Sequence, residues 1–116
     1  PWSVNALAQA AGEAVIADKR YCRESIAYVR KRREELFRGL SRIEGLTVYP
    51  SAANFLFARI DKKGMTSAFL AKRMLSRGIL IRDCGNFRGL LDRYFRVAVR
   101  TGGENKRLIR AVKEAL

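Results

Sequence analysis

Histidine is absent from the 116 residues of this chain. Without an imidazole, a Ser/His/Asp triad, a histidine general base and a His-ligated metal site are all excluded within it. Cysteine is scarce: Cys22 and Cys84 stand far apart with no Cys-x-x-Cys pair. That spacing argues against a zinc site or a disulfide framework and fits a reducing cytoplasm. No apolar run approaches the roughly 20 residues of a bilayer-spanning helix, and the first residues lack the charged and apolar regions of a secretory signal. The chain therefore reads as soluble and cytoplasmic, with no membrane partner. Acid is also in short supply, with 11 Asp+Glu against 24 Lys+Arg and a formal charge of +13. Such an excess attracts nucleic acid, anionic membrane or a phosphorylated small molecule. It is equally what a solvated face carries, or the exposed side of a domain whose acidic counterpart lies elsewhere. A basic nucleic-acid module is the competing reading. The run Arg30-Lys31-Arg32-Arg33 contains no aromatic residue of the kind a base-stacking surface needs, so a nucleic-acid partner is not expected.

With 48% hydrophobic residues, a chain of this length can bury one core, so a single domain over residues 1–116 is expected. The first third carries apolar residues at helical spacing in two stretches, read as one long kinked helix. Its stripe runs Val4, Leu7, Ala8, Ala11 and Val15, then Cys22, Ile26, Val29, Leu36, Leu40 and Ile43. Arg20, Arg23, Arg30, Lys31 and Arg38 form its solvated face, and Gly45 suits its stop. Strands are expected at Leu46–Tyr49 and Asn54–Ile60, joined by the turn Pro50–Ala53. Met65–Arg77 returns to helical spacing before Gly78, Ile79–Ile81 reads as a buried strand, and Asp83–Arg93 as a loop. Tyr94–Arg100 alternates cleanly, and Thr101-Gly102-Gly103-Glu104 has the form of a capping box. Leu108, Ile109, Val112 and Leu116 then stripe a closing helix. The order α-β-β-α-β-β-α describes an α/β fold of the α+β sandwich kind, a small antiparallel or mixed sheet of about four strands covered by helices.

Arginine inside a strand is the anomaly, because a guanidinium on a sheet must reach water, pair with an acid, or bind a ligand. Phe95, Val97 and Val99 share one face of the last strand, and Tyr94, Arg96, Ala98 and Arg100 share the other. If the apolar side packs under the helices, Arg96 faces outward, and a covering domain would make it a fixed cation in a cleft. Guanidinium grips carboxylate or phosphate in bidentate fashion. The plainer alternative is a surface ion pair worth ~0–1 kcal/mol. Arg82 ends the preceding strand, where arginines are common, and Arg100 shares the face of Arg96. Asn54 reads as a turn former and Tyr94 as packing.

The run Arg82-Asp83-Cys84-Gly85-Asn86-Phe87-Arg88-Gly89-Leu90 and the strand Tyr94-Phe95-Arg96-Val97-Ala98-Val99-Arg100 resemble the C-terminal region of the threonine-phosphate decarboxylases. The opening Pro1-Trp2-Ser3-Val4-Asn5-Ala6-Leu7-Ala8-Gln9 and the segment Tyr49-Pro50-Ser51-Ala52-Ala53-Asn54-Phe55-Leu56 are similar to the same family. These are pyridoxal-phosphate enzymes of the class I/II aminotransferase superfamily, related to the histidinol-phosphate aminotransferases, which remain the alternative. Gly85 stands where the family usually has serine, and Gly102 where proline is common.

The resemblance implies a C-terminal small domain that closes over a substrate, with pyridoxal phosphate held on a lysine of an N-terminal domain outside this sequence. It implies that Arg96 binds the substrate α-carboxylate and that Arg82 helps bind the substrate phosphate. No catalytic, cofactor-binding or metal-binding residue is implied here, so the fragment alone should be inert. The expected partners are that N-terminal domain, a phosphorylated amino-acid substrate and, for the parent enzyme, a second copy in a homodimer. The reaction implied converts L-threonine O-3-phosphate to aminopropanol phosphate, a precursor in cobalamin synthesis.

Overall fold

A computed structural model describes residues 4–116; Pro1, Trp2 and Ser3 of the opening segment lie outside the described residues. Helix α1 (Ala6–Ala17) starts at Asn5, whose side chain accepts the Ala8 N–H, and ends at Asp18. Helix α2 (Lys19–Leu40) starts at the same Asp18, whose carboxylate accepts the Tyr21 N–H. One short acidic side chain thus turns the expected kinked helix into two, because a residue satisfying an orphan N–H leaves helical geometry itself. The stop also differs from expectation. Helix α2 ends at Leu40, and Gly45, with φ of 79°, instead turns the chain into the first strand.

Strand β1 (Leu46–Tyr49) pairs antiparallel with β2 (Phe55–Ile60), which pairs antiparallel with β4 (Tyr94–Ala98), which pairs antiparallel with β3 (Arg82–Asp83). The sheet order is β1-β2-β4-β3. Between β2 and β3 lies helix α3 (Ser67–Leu75), shorter than the expected Met65–Arg77 and capped by the Thr66 hydroxyl. Gly78, at φ of 67°, reverses the chain after it as expected. Ile79–Ile81 is not a strand. Ile81 is buried, but Leu80 is 85% exposed, and ladder pairing begins only at Arg82. Branched apolar content reports burial, whereas strand formation needs a neighbour's N–H and C=O groups within reach.

Helix α4 (Gly102–Ala115) closes the domain behind a complete capping box, in which Thr101 Oγ1 accepts the Glu104 N–H and the Glu104 carboxylate accepts the Thr101 N–H. At its other end the guanidiniums of Arg77 and Arg73 donate to the carbonyls of Ala111 and Ala115, each at 2.8 Å. The Thr101 hydroxyl, then Arg100, hold the Glu104 carboxyl down to about 2 from 4.5. A carboxylate depressed in this way stabilises the fold above its ordinary value and loses that contribution as pH falls through its folded one. The melting temperature should therefore fall more steeply between pH 4.5 and pH 2 than that of Glu104→Gln, the two curves converging at the acid end.

The core lies between one sheet face and α2, α3 and α4. Leu36 and Leu40 of α2, Leu70 and Met74 of α3, and Leu108 and Val112 of α4 meet Leu56, Ala58, Ile60, Phe95 and Val97 of the sheet. Period-2 alternation selects that face in both β2 and β4, and in β4 it is the face that the sequence predicts. In α3 only half of the apolar set is used, since Phe69 and Leu75 are exposed. Helix α1 buries nothing among the described residues: Leu7 is 83% exposed, and Val15 and Ile16 are also exposed, as is Ile26 of α2.

Candidate anion-binding site

The helices cover one face of the sheet, so the functional question concerns the other. Register places Tyr49 beside Phe57, Phe57 beside Arg96, and Arg96 directly opposite Arg82. Residues opposite one another in an antiparallel pair share a face. The two arginines, expected separately, are thus neighbours on the uncovered side. Like charges in that position oppose sheet pairing, and no acid in the described residues pairs with either guanidinium. Arg82 begins its strand, where the sequence suggested that it ends one.

Each guanidinium lies against an aromatic ring. Arg96 Cζ is 4.4 Å from the Phe55 ring centroid, and Arg82 Cζ is 5.8 Å from that of Phe87. The ring's negative face holds a cation without neutralising it. Arg96 Nε is buried without a hydrogen-bond partner, a state that costs about 1–3 kcal/mol. The ring and the sheet thus enclose the inner part of this guanidinium, and its terminal nitrogens are what remains for a ligand.

Around the pair is a concavity of ≈ 410 Å³ lined by Asn54, Phe55, Leu80, Ile81, Arg82, Arg96, Val97 and Ala98. Leu80 and Ile81 form one wall and Val97 and Ala98 another, so the failure of residues 79–81 to pair with β4 opens the site. Asn54, read as a turn former, is also part of its lining.

Strand β3 is short and is braced from the opposite face. Asp83 accepts 2.6 Å and 2.9 Å bonds from the buried Ser67 hydroxyl and the Gly85 N–H, and these hold its carboxyl below the usual range. Those bonds fix the residue after Arg82 while its carboxylate stays on the helical side. A Cβ at Gly85 would come 3.3 Å from Asp83 Oδ1, so glycine spares that brace. A Cβ at Gly102 would come 2.9 Å from Arg32 Nη1, the far end of a flexible side chain that can shift aside. Cys84 is buried, which pushes its thiol up despite Arg96 and Arg82 nearby. Its form is the neutral, unreactive one.

Arg100 is not part of the site. It lies at the exposed end of the sheet, 2.8 Å from Glu104, and belongs to the cap of α4. Tyr94 packs as expected, stacked on Phe57 at 5.2 Å. Phe55 was not anticipated from the sequence. The signal for it was available in the alternation of Phe55 and Phe57 against Leu56 and Ala58, which puts both rings on the face of Arg96 once the β2–β4 register is known.

The sheet is thus covered on one side and carries on the other two opposed arginines with no acidic partner among the described residues, beside a concavity whose chemistry suits an anion. Residues 1–113 match the family model of aminotransferase class I and II, and the chain belongs to that family. It is 39% identical over 116 residues to threonine-phosphate decarboxylase of Salmonella typhimurium, covering 100% of this chain and 31% of that protein. It is 35% identical over 107 residues to histidinol-phosphate aminotransferase of Methanopyrus kandleri, covering 92% and 27%.

Among solved structures, histidinol-phosphate aminotransferase from Clostridium acetobutylicum superposes with a TM-score of 0.86 at 30% identity, over 98% of this chain and 34% of that one. L-threonine-O-3-phosphate decarboxylase from Porphyromonas gingivalis superposes with 0.78 at 33%, over 98% and 35%. The chain thus spans about a third of the length of these relatives. The family is pyridoxal-phosphate dependent, and the similar histidinol-phosphate aminotransferase from Sinorhizobium meliloti, at 28% identity over 88% of this chain and 27% of that one with a TM-score of 0.75, was solved in complex with pyridoxal-5'-phosphate. The described residues do not fit that cofactor by themselves: every lysine is exposed, and none lines the concavity.

Proposed function

We propose that this chain is the C-terminal small domain of a pyridoxal-phosphate-dependent decarboxylase acting on L-threonine O-3-phosphate, and that it orients the substrate by its two anionic ends. Arg96 takes the α-carboxylate and Arg82 the phosphate. The observation that carries this reading is the opposition of two acid-free arginines in one concavity. Side chains opposite each other across a strand pair start about 5 Å apart, a spacing suited to a short molecule bearing both anions. Threonine phosphate is such a molecule. Loss of its carboxylate as CO₂, with a proton taken up at Cα in its place, yields aminopropanol phosphate.

The cofactor, and the lysine that holds it, belong in this reading to an N-terminal domain of the same protein. That domain also covers Leu7, Val15, Ile16 and Ile26, which no described residue of this chain buries. The parent enzyme is a cytoplasmic homodimer on the same reading. A second reading, histidinol-phosphate aminotransferase, is favoured by the Clostridium acetobutylicum superposition and the Methanopyrus kandleri likeness. Measuring CO₂ release from threonine phosphate and amino transfer from histidinol phosphate with the full-length protein decides between them; transfer without CO₂ release overturns the decarboxylase.

Arg82→Ala should act on the phosphate end alone. Charge-assisted hydrogen bonds contribute about 1.5–3 kcal/mol, so KM for threonine phosphate should rise about 10- to 100-fold. The preference over unphosphorylated threonine should shrink by the same factor. Steady-state kinetics on both substrates measure it, and an unchanged preference would remove Arg82 from phosphate binding.

A further inference from the structure

Arg33 lies on α2, on the helical side of the sheet, and does not line the arginine concavity. Its neighbours Arg30 and Arg32 pair with Glu34 and Glu35 within the helix. Arg33 does something different. Its Nη1 donates to the carbonyls of both Ala52 and Ala53, at 3.0 Å and 3.2 Å. Those residues form the small-residue turn between β1 and β2, where successive carbonyls have no strand partner and would otherwise face water.

The turn leads straight into the site. Asn54 follows Ala53 and lines the concavity, and Phe55 carries the ring on which the Arg96 guanidinium lies. From the opposite side, the Val99 N–H donates to the Asn54 carbonyl at 2.8 Å, tying the turn to the end of β4. Within the turn, the Ser51 hydroxyl accepts the Ala53 N–H at 3.0 Å. The segment is thus held by a long-range cation on one flank and by the arginine-bearing strand on the other. A charged donor bonded to two adjacent carbonyls restricts the peptide between them more than one bond to water could.

We infer that Arg33 is a positioning residue for the proposed substrate-binding site: by clamping the Ala52 and Ala53 carbonyls it sets the Asn54–Phe55 wall against which Arg96 is oriented. This rests on the function proposed above, in which Arg96 binds the carboxylate. Arg33 touches no substrate. Its effect should be on how firmly Arg96 is held ready to bind the carboxylate when substrate arrives, and hence on KM more than on kcat.

The test uses the full-length enzyme with threonine phosphate and four variants: Arg33→Ala, Arg33→Lys, Arg30→Ala and Arg96→Ala. Arg33→Ala should raise KM about tenfold with kcat within about twofold, the signature of lost binding without lost chemistry. Both contacts come from a single nitrogen, so the ammonium of Arg33→Lys, one bond shorter but on a flexible stem, should restore part of the KM. Arg30→Ala, which removes the same charge from the same helix, should match the wild type. An unchanged KM in Arg33→Ala overturns the inference, as does an equal effect from Arg30→Ala, failure of the lysine variant to recover, or an Arg33→Ala protein that does not fold. If instead Arg96→Ala has normal kinetics, the functional reading itself fails, and the inference fails with it.

Discussion

Arg96→Ala in the full-length enzyme is expected to lower kcat/KM by about 100- to 1000-fold, since misaiming reacting groups by ~1 Å alone costs about 100-fold and a charge-assisted bidentate contact is lost as well. The same variant should melt at the wild-type temperature or slightly above it. Arg96 faces Arg82 across the strand pair, has a buried Nε without a partner and has no acid beside it, so the fold loses little when it is removed. Steady-state kinetics and a thermal melt on one preparation check both halves. Arg96→Lys keeps the charge but loses the planar fork and the stacking on Phe55, and should recover only a minor part of the activity. A large loss of melting temperature in Arg96→Ala would reassign the residue to the fold.

Phe95→Ala, one residue away, should behave in the opposite manner. Phe95 is fully buried at the centre of the core, opposite Ala58 of β2 and Asp83 of β3. Truncating a buried phenylalanine typically costs about 3–5 kcal/mol through lost burial and the cavity left behind. For a domain of this size that corresponds to a fall in melting temperature on the order of 10 °C or more. Urea unfolding should show a lower midpoint with the same slope, because the surface exposed on unfolding barely changes. Neighbouring residues of one strand are thus expected to separate stability from the proposed binding, because successive side chains point to opposite faces.

Part of this division is legible in the residue pattern of the strand. Alternation in Tyr94–Arg100 assigns Phe95 and Val97 to the core and Arg96 to the open face, and the structure agrees. The capping box at Thr101 and the reversal at Gly78 are legible because their signals are local in sequence. Boundaries are less so. Asp18 splits the first helix where the apolar spacing runs on, and strand β3 begins at Arg82 where branched residues point to Ile79–Ile81. Periodicity reports which side of an element is buried, but a strand's ends depend on what another strand can reach.

The sequence by itself determined the face on which Arg96 lies, the capping box at Thr101 and the lack of imidazole chemistry, since each depends on residue type and near neighbours. Only the tertiary structure decided that Arg82 stands opposite Arg96, that Phe55 lies under Arg96, and that Arg33 reaches Ala52 and Ala53 from 19 and 20 residues away. Register and helix placement bring together residues that no local pattern links. They arise from burying one shared core, whose side chains lie on the face opposite the site.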